Sequence, residues 1–333
     1  MPEQLPHAQR DDARAHSPHR RLSARYRGLP LRGRRVVAGA AAGAALLLAT
    51  AVIAPLAVNG AGSPRSGAAA QPDGDPALSV PASTVNATAV TAISETTGPV
   101  AGGSTVTVSG TDVDGVTRVV FGSQDAEILS ATSTEVTVAV PPASDFSPAD
   151  VGIAVYADDL RIDGDTLSYR YDIMSPVDTQ MAYVFAHWDD YNLAEYGSLP
   201  DTDCANFASQ SLIERGWTMH EDWWAEGTGE DFDFSKAWVS STFFMNYLEG
   251  RPDLATALDD TQRDQVKVGD IVQFDWDNSG DRDHTGIVSR VETTDAGTQV
   301  YYAGHTDDTD YRTVDEAITV LHPGADVYYW SIA

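Results

Sequence analysis

Residues 201–216 read Asp201-Thr-Asp-Cys-Ala-Asn-Phe-Ala-Ser-Gln-Ser-Leu-Ile-Glu-Arg-Gly216 and hold the chain's one cysteine, Cys204. The stretch reads as a loop entering a helix. Asp203 is the expected N-cap, accepting backbone N–H bonds from the first turn. Cys204, Phe207, Ala208, Ser211 and Leu212 recur with the spacing of one helical face. Arg215 falls in the last turn, and Gly216 is the expected residue just past the helix. A thiol at a helix N-terminus faces unpaired N–H groups and the positive end of the dipole. Both favour the thiolate, which is the nucleophilic form. The alternative is a small core residue, since free cysteine packs well inside proteins.

The 333 residues suggest two domains with additions. The net charge of −28 is unevenly spread: residues 1–60 are net +6, and the rest is net −34 with two lysines, Lys236 and Lys267. So acidic a body argues against a nucleic-acid partner, because phosphate needs a basic surface. One cysteine excludes an intramolecular disulfide framework.

Residues 1–35 read as a disordered, basic, cytoplasmic tail. Residues 36–58 carry no charge and are long enough to cross a bilayer as one helix. Arg32, Arg34 and Arg35 beside them place the N-terminus in the cytoplasm. A retained signal-anchor is preferred over a cleaved signal peptide. The expectation is a cell-membrane protein with extracellular C-terminal domains, or a secreted one if the segment is cleaved. Residues 59–87 read as a linker rich in Ala, Gly, Pro and Ser.

Residues 88–173 alternate Thr/Val-rich runs with Gly, Pro and Asp turns, which predicts an antiparallel sandwich. Three stretches carry a resemblance: Gly98-Pro-Val-Ala-Gly-Gly-Ser-Thr-Val-Thr-Val-Ser-Gly110, Val119-Val-Phe-Gly122 and Val138-Ala-Val-Pro-Pro142. They resemble the immunoglobulin-like IPT/TIG domain, which implies a spacer or contact module without catalytic residues.

Residues 176–333 read as α+β. Helices are expected over Pro176–Tyr196, at Cys204 and over Ser235–Gly250. Strands are expected over Val266–Asp275, His284–Val291 and Gln299–His305. A cysteine nucleophile needs a base, and the base needs an orienting partner. With the hairpin turning over Glu292–Thr298, a register in which paired numbers sum to 589 sets His284 opposite His305, and the two share a face. A register slip of one would part them. His284 is then the base and His305 its orienter, with Asp307 the competing orienter.

Four segments carry a second resemblance: Asp203-Cys-Ala-Asn-Phe-Ala-Ser-Gln210, Gly269-Asp-Ile-Val-Gln-Phe274, Asp283-His-Thr-Gly-Ile-Val288 and Gly304-His-Thr-Asp-Asp308. They look like the putative amidase domain family, similar to papain-like CHAP amidases and NlpC-type cell-wall peptidases. The implied fold is an α+β papain-like hydrolase behind the TIG-like sandwich and one transmembrane helix. The resemblance implies Cys204 as nucleophile, His284 as base and His305 as third member. Trp238 matches a family tryptophan and lines either the cleft or the core. The Cys204 N–H is one oxyanion donor, and Asp203, Asn206 or Gln210 helps to orient that loop.

The implied chemistry is thiol attack on an amide, with cell-wall peptide as substrate and neither metal nor cofactor needed. Zinc held by Cys204, His284 and His305 is a rival reading. Asp275-Trp-Asp-Asn-Ser-Gly-Asp281 resembles half of a calcium loop, but its twelfth position is Gly286 rather than Glu. Two other functions fit the same residues: a non-catalytic surface binding or adhesion protein with a degenerate hydrolase fold, and a cysteine acyltransferase.

Overall fold

The structure, a computed structural model, describes residues 88–294 and 297–333. Its first part is all strand: β1 (Ala89–Ile93), β2 (Thr97–Pro99), β3 (Thr105–Thr111), β4 (Arg118–Phe121), β5 (Gln124–Ala131), β6 (Glu135–Ala139), β7 (Ala149–Ala157), β8 (Leu160–Arg161) and β9 (Leu167–Asp172). They run in the order β1-β3-β6-β5-β4-β7-β9-β2, with β8 beside β7. The alternation in sequence sets the inward face. Val106 and Val108 are fully buried with their partners Val138 and Val136. Thr107 and Thr137 face the other way, their hydroxyls 3.5 Å apart. Gly102 turns the chain at φ +72°, where a Cβ would meet the Pro141 carbonyl carbon at 2.6 Å.

Helix α1 (Pro176–His187) follows with Ser175 as N-cap, its hydroxyl accepting from the Asp178 N–H at 3.2 Å. Asp178 is fully buried at the junction of the two domains. Its carboxylate accepts the Ala101 N–H at 2.7 Å, the Met174 N–H at 2.9 Å and the Ser175 hydroxyl at 2.8 Å. Phe146 of the sandwich packs on Phe185 of α1, which packs on Tyr311.

Helix α2 (Cys204–Glu214) comes next, then β10 (Ala225–Glu226), β11 (Asp233–Phe234), α3 (Lys236–Val239) and α4 (Ser241–Glu249). The remaining strands are β12 (Ala255–Asp259), β13 (Ile271–Asp275), β14 (His284–Thr294), β15 (Gly297–Gly304), β16 (Thr309–Thr313) and β17 (Asp326–Ile332). They form an antiparallel sheet ordered β12-β17-β13-β14-β15-β16. One face, with Ile271, Ile287, Ala303 and Trp330, packs with Phe207, Leu212 and Phe244 of the helices. The other buries Val272, Phe274, Val288, Tyr302 and Tyr329.

Several expectations need correction. Over the described residues the fold is an Ig-like half-barrel followed by a mixed α/β domain, with no transmembrane helix among them. Among the described residues no helix is long and apolar enough to cross a membrane, and residues 36–58 lie outside them. The expected helix over Pro176–Tyr196 ends at His187. The one expected over Ser235–Gly250 breaks at Ser240, which adopts φ −116°, ψ 123° and caps α4 through the Phe243 N–H. The strand expected from Val266 starts at Ile271, after a turn at Gly269 with φ +86°.

Candidate active site

Helix α2 is the buried axis of the second domain: every residue from Cys204 to Leu212 is buried. Gly216 adopts φ +102° and its N–H closes on the Ile213 carbonyl at 2.8 Å. Asp203 does not cap the helix with its side chain, contrary to expectation. Its carboxylate instead accepts the Leu199 N–H at 2.7 Å and the Asn206 amide at 2.9 Å, and its second oxygen lies 2.6 Å from His305 Nδ1. His305 Nε2–H donates to the His187 carbonyl at 2.7 Å. Both ring nitrogens are thus engaged, one by the Asp203 carboxyl group and one by a backbone carbonyl. The ring stacks on Phe207 at 3.7 Å and meets Tyr191 edge-on.

The expected facing of His284 and His305 fails on register. Ile287 pairs with Ala303, and a bulge between Val288 and Arg290 absorbs a residue nearer the turn. Continued by two residues, that register sets Thr285 opposite His305 and leaves His284 on the other face. Asp307 does not reach His284 either; it pairs with Arg312 at 2.6 Å. Among the described residues no carboxylate hydrogen-bonds the His284 ring. A Cys–His–His set is therefore not assembled, and with it goes the three-ligand zinc arrangement.

Cys204 lies against Ser241, and His284 is near enough to act on the thiol electrostatically. Cys204 is the first residue of α2 and His284 the first of β14, and both are nearly buried. Burial pushes the Cys204 thiol up. The His284 charge and hydrogen bond, the Ser241 hydroxyl and the Thr285 N–H outweigh it and bring the thiol down from 9.0 to about 7. The Ser241 hydroxyl lies 3.5 Å from the sulfur. His284 also borders a cleft of about 160 Å³, with Trp276, Tyr302, Asp307, Arg312 and His322 around it.

The remaining expected residues have buried partners. Asn206 donates to the Gly197 carbonyl at 2.8 Å and accepts the Trp238 indole N–H at 2.7 Å. Gln210 accepts the Tyr183 hydroxyl at 2.7 Å. Trp238 is fully buried in the core rather than lining the cleft. In the acidic loop, carboxylate oxygens of Asp275, Asp277, Asp281 and Asp283 lie within 4.8 Å of one another. Asp275 accepts the Ser279 and Gly280 N–H groups, so the loop is closed by its own bonds. Sequence reasoning missed Ser241, Thr285, Gln273 and Trp330. A glutamine inside the apolar run Ile-Val-Gln-Phe was the available signal.

Residues 176–330 match the family described as Putative amidase domain, and residues 89–171 match the IPT/TIG domain. A TIG domain is thus followed by an amidase-type domain. No curated protein matches the chain. Among solved structures it is similar to two of the plexin A4 extracellular region, at 26% and 27% identity, with TM-scores of 0.23 and 0.22. Those matches cover 26% and 25% of this chain and 7% and 8% of those chains. It is also similar to SGBP-B of a Bacteroides ovatus mixed-linkage glucan utilization locus, in complex with a mixed-linkage heptasaccharide. That match has 12% identity and a TM-score of 0.22, over 74% of this chain and 52% of that one. The chain therefore spans less than a tenth of the plexin regions and about half of SGBP-B.

Proposed function

We propose that the amidase-type domain, residues 176–330, hydrolyses an amide through a Cys204–His284 dyad, with cell-wall peptide as the substrate class. Support for this reading comes from the place of the thiol, first in α2 and 3.5 Å from the Ser241 hydroxyl, with His284 among the causes that bring it down to about 7. Cys204 thiolate attacks the carbonyl carbon, and carbon–sulfur bond formation sends the carbonyl electron pair to oxygen. That oxyanion forms beside the N–H groups at the start of α2. His284, holding the proton taken from the thiol, passes it to the amine as the carbon–nitrogen bond breaks, and water, with His284 as base, then cleaves the thioester to release the carboxylic acid and the Cys204 sulfur. The pairing of a TIG domain with an amidase-type domain fits an extracellular protein.

A second reading is a non-catalytic wall-binding protein. A specific observation favours it: His305 is committed to Asp203 and Asp307 to Arg312, so His284 has no orienting carboxylate among the described residues. Incubating the full chain with wall peptides separates the two. The dyad reading expects new amino groups, absent with Cys204→Ala and His284→Ala. Tight binding of the peptides without release of amine, unchanged by Cys204→Ala, establishes the second reading instead.

A further inference from the structure

Four buried polar side chains run in a line to the sulfur. The β13–β14 register sets Gln273 directly opposite Thr285, so they share a face. Trp330 pairs with Ile271, two residues from Gln273, and so lies on that face as well. Ser241 opens α4 above them. Gln273 and Thr285 are fully buried, and Ser241 and Trp330 are 5% exposed.

The direction of each bond follows from donor chemistry. An indole N–H can only donate, and Trp330 Nε1 lies 2.9 Å from Gln273 Oε1. That fixes the amide: its NH2 faces the Ser241 carbonyl at 2.9 Å and Thr285 Oγ1 at 3.1 Å. A flipped amide would set its oxygen against the Ser241 carbonyl oxygen, two acceptors face to face. Thr285 Oγ1 accepts from Gln273 and donates its one proton to Ser241 Oγ at 2.8 Å. Ser241 Oγ, having accepted, has its proton for Cys204 Sγ at 3.5 Å. A thiolate has no proton to give, so as a thiolate the sulfur is the terminal acceptor of a one-way chain. A hydrogen-bond chain aligned in one direction in a low-dielectric interior is mutually polarised, and a charged acceptor gains most from it.

We infer that Trp330, Gln273, Thr285 and Ser241 are positioning residues that hold Cys204 as a thiolate through a one-way donor chain. Their part in catalysis rests on the dyad reading above; their effect on the thiol does not. The nucleophile is then charged at neutral pH before any substrate arrives. His284 is left free to handle the proton of the leaving amine.

The test is the rate at which iodoacetamide alkylates Cys204 in the full chain, followed by mass spectrometry from pH 5 to pH 10. Ser241→Ala is expected to raise the midpoint by about one unit, which slows alkylation at pH 7 about fivefold. The plateau at pH 10 stays at the wild-type level, whereas a general loss of packing would move it. Ser241→Thr, which keeps the hydroxyl, restores the wild-type midpoint. Trp330→Phe and Thr285→Val shift the midpoint the same way, and they decide the matter if Ser241→Ala does not fold. Midpoints that stay at the wild-type value in the folded variants overturn the inference. Amide hydrolysis is scored separately on the same samples. Shifted midpoints without hydrolysis keep the donor chain and remove the amidase; hydrolysis with unmoved midpoints does the reverse.

Discussion

His305 Nδ1 lies 2.6 Å from Asp203 Oδ2, so the helix that opens with Cys204 is pinned by the residue just before it. The two side chains are 1% and 4% exposed, and each has further partners that hold it in place. This pair fixes where the sulfur stands without touching it. The imidazole expected to orient the base instead anchors the helix.

Removing one partner should therefore act on stability first. His305→Ala leaves the buried Asp203 side chain without one of its hydrogen-bond partners, a loss of about 1–3 kcal/mol. Urea denaturation of wild type and variant measures it. A variant as stable as wild type, with only the rate of amide cleavage reduced, would return His305 to the role of orienter.

The domain junction makes a second prediction. Asp178→Ala leaves three donors at the junction without their acceptor, among them the Ala101 N–H of the sandwich. Each buried donor left unmet costs about 1–3 kcal/mol. The stretch between β9 and α1 should become open to limited proteolysis, while the wild-type chain resists.

Trp238 gives a third. Trp238→Phe keeps most of the ring but abolishes the indole bond to Asn206, at a cost of about 1–2 kcal/mol. Thermal unfolding reads this loss. Because Trp238 is fully buried, the KM for a wall peptide should not change.

The thiol makes stability depend on pH. Burial pushes it up, but His284, Ser241 and Thr285 bring its folded value down to about 7, below the unfolded value of about 8.5. The unfolded state therefore binds more protons between these values, and stability rises with pH across that window. The contribution is complete above the unfolded value and is lost as pH falls through about 7. Cys204→Ser, compared with wild type in urea titrations between pH 6 and pH 9, should flatten this rise.

The course of α2 was legible because its pattern is local: an apolar stripe of helical period and a glycine at its end. The sandwich was legible for the same reason, as Val106 and Val108 alternate with outward threonines. What depended on distant partners was not. The bulge near Val288 moved His305 away from His284, and nothing in the turn residues announced it. Asp203 has the side chain of a good cap, yet a buried imidazole and the Asn206 amide compete for its carboxylate. Ser241, Thr285, Gln273 and Trp330 come from four elements, and only the fold brings them into line. Gln273 alone left a trace, as a polar residue in a strand buried along its whole length.

The central claim is that Cys204 and His284 work as a pair, and the pH profile of Cys204 alkylation tests it most directly. The account predicts a midpoint of about 7 for the wild type and a higher one for His284→Ala. A wild-type midpoint at the ordinary thiol value of about 8.5, unmoved by His284→Ala, would contradict it.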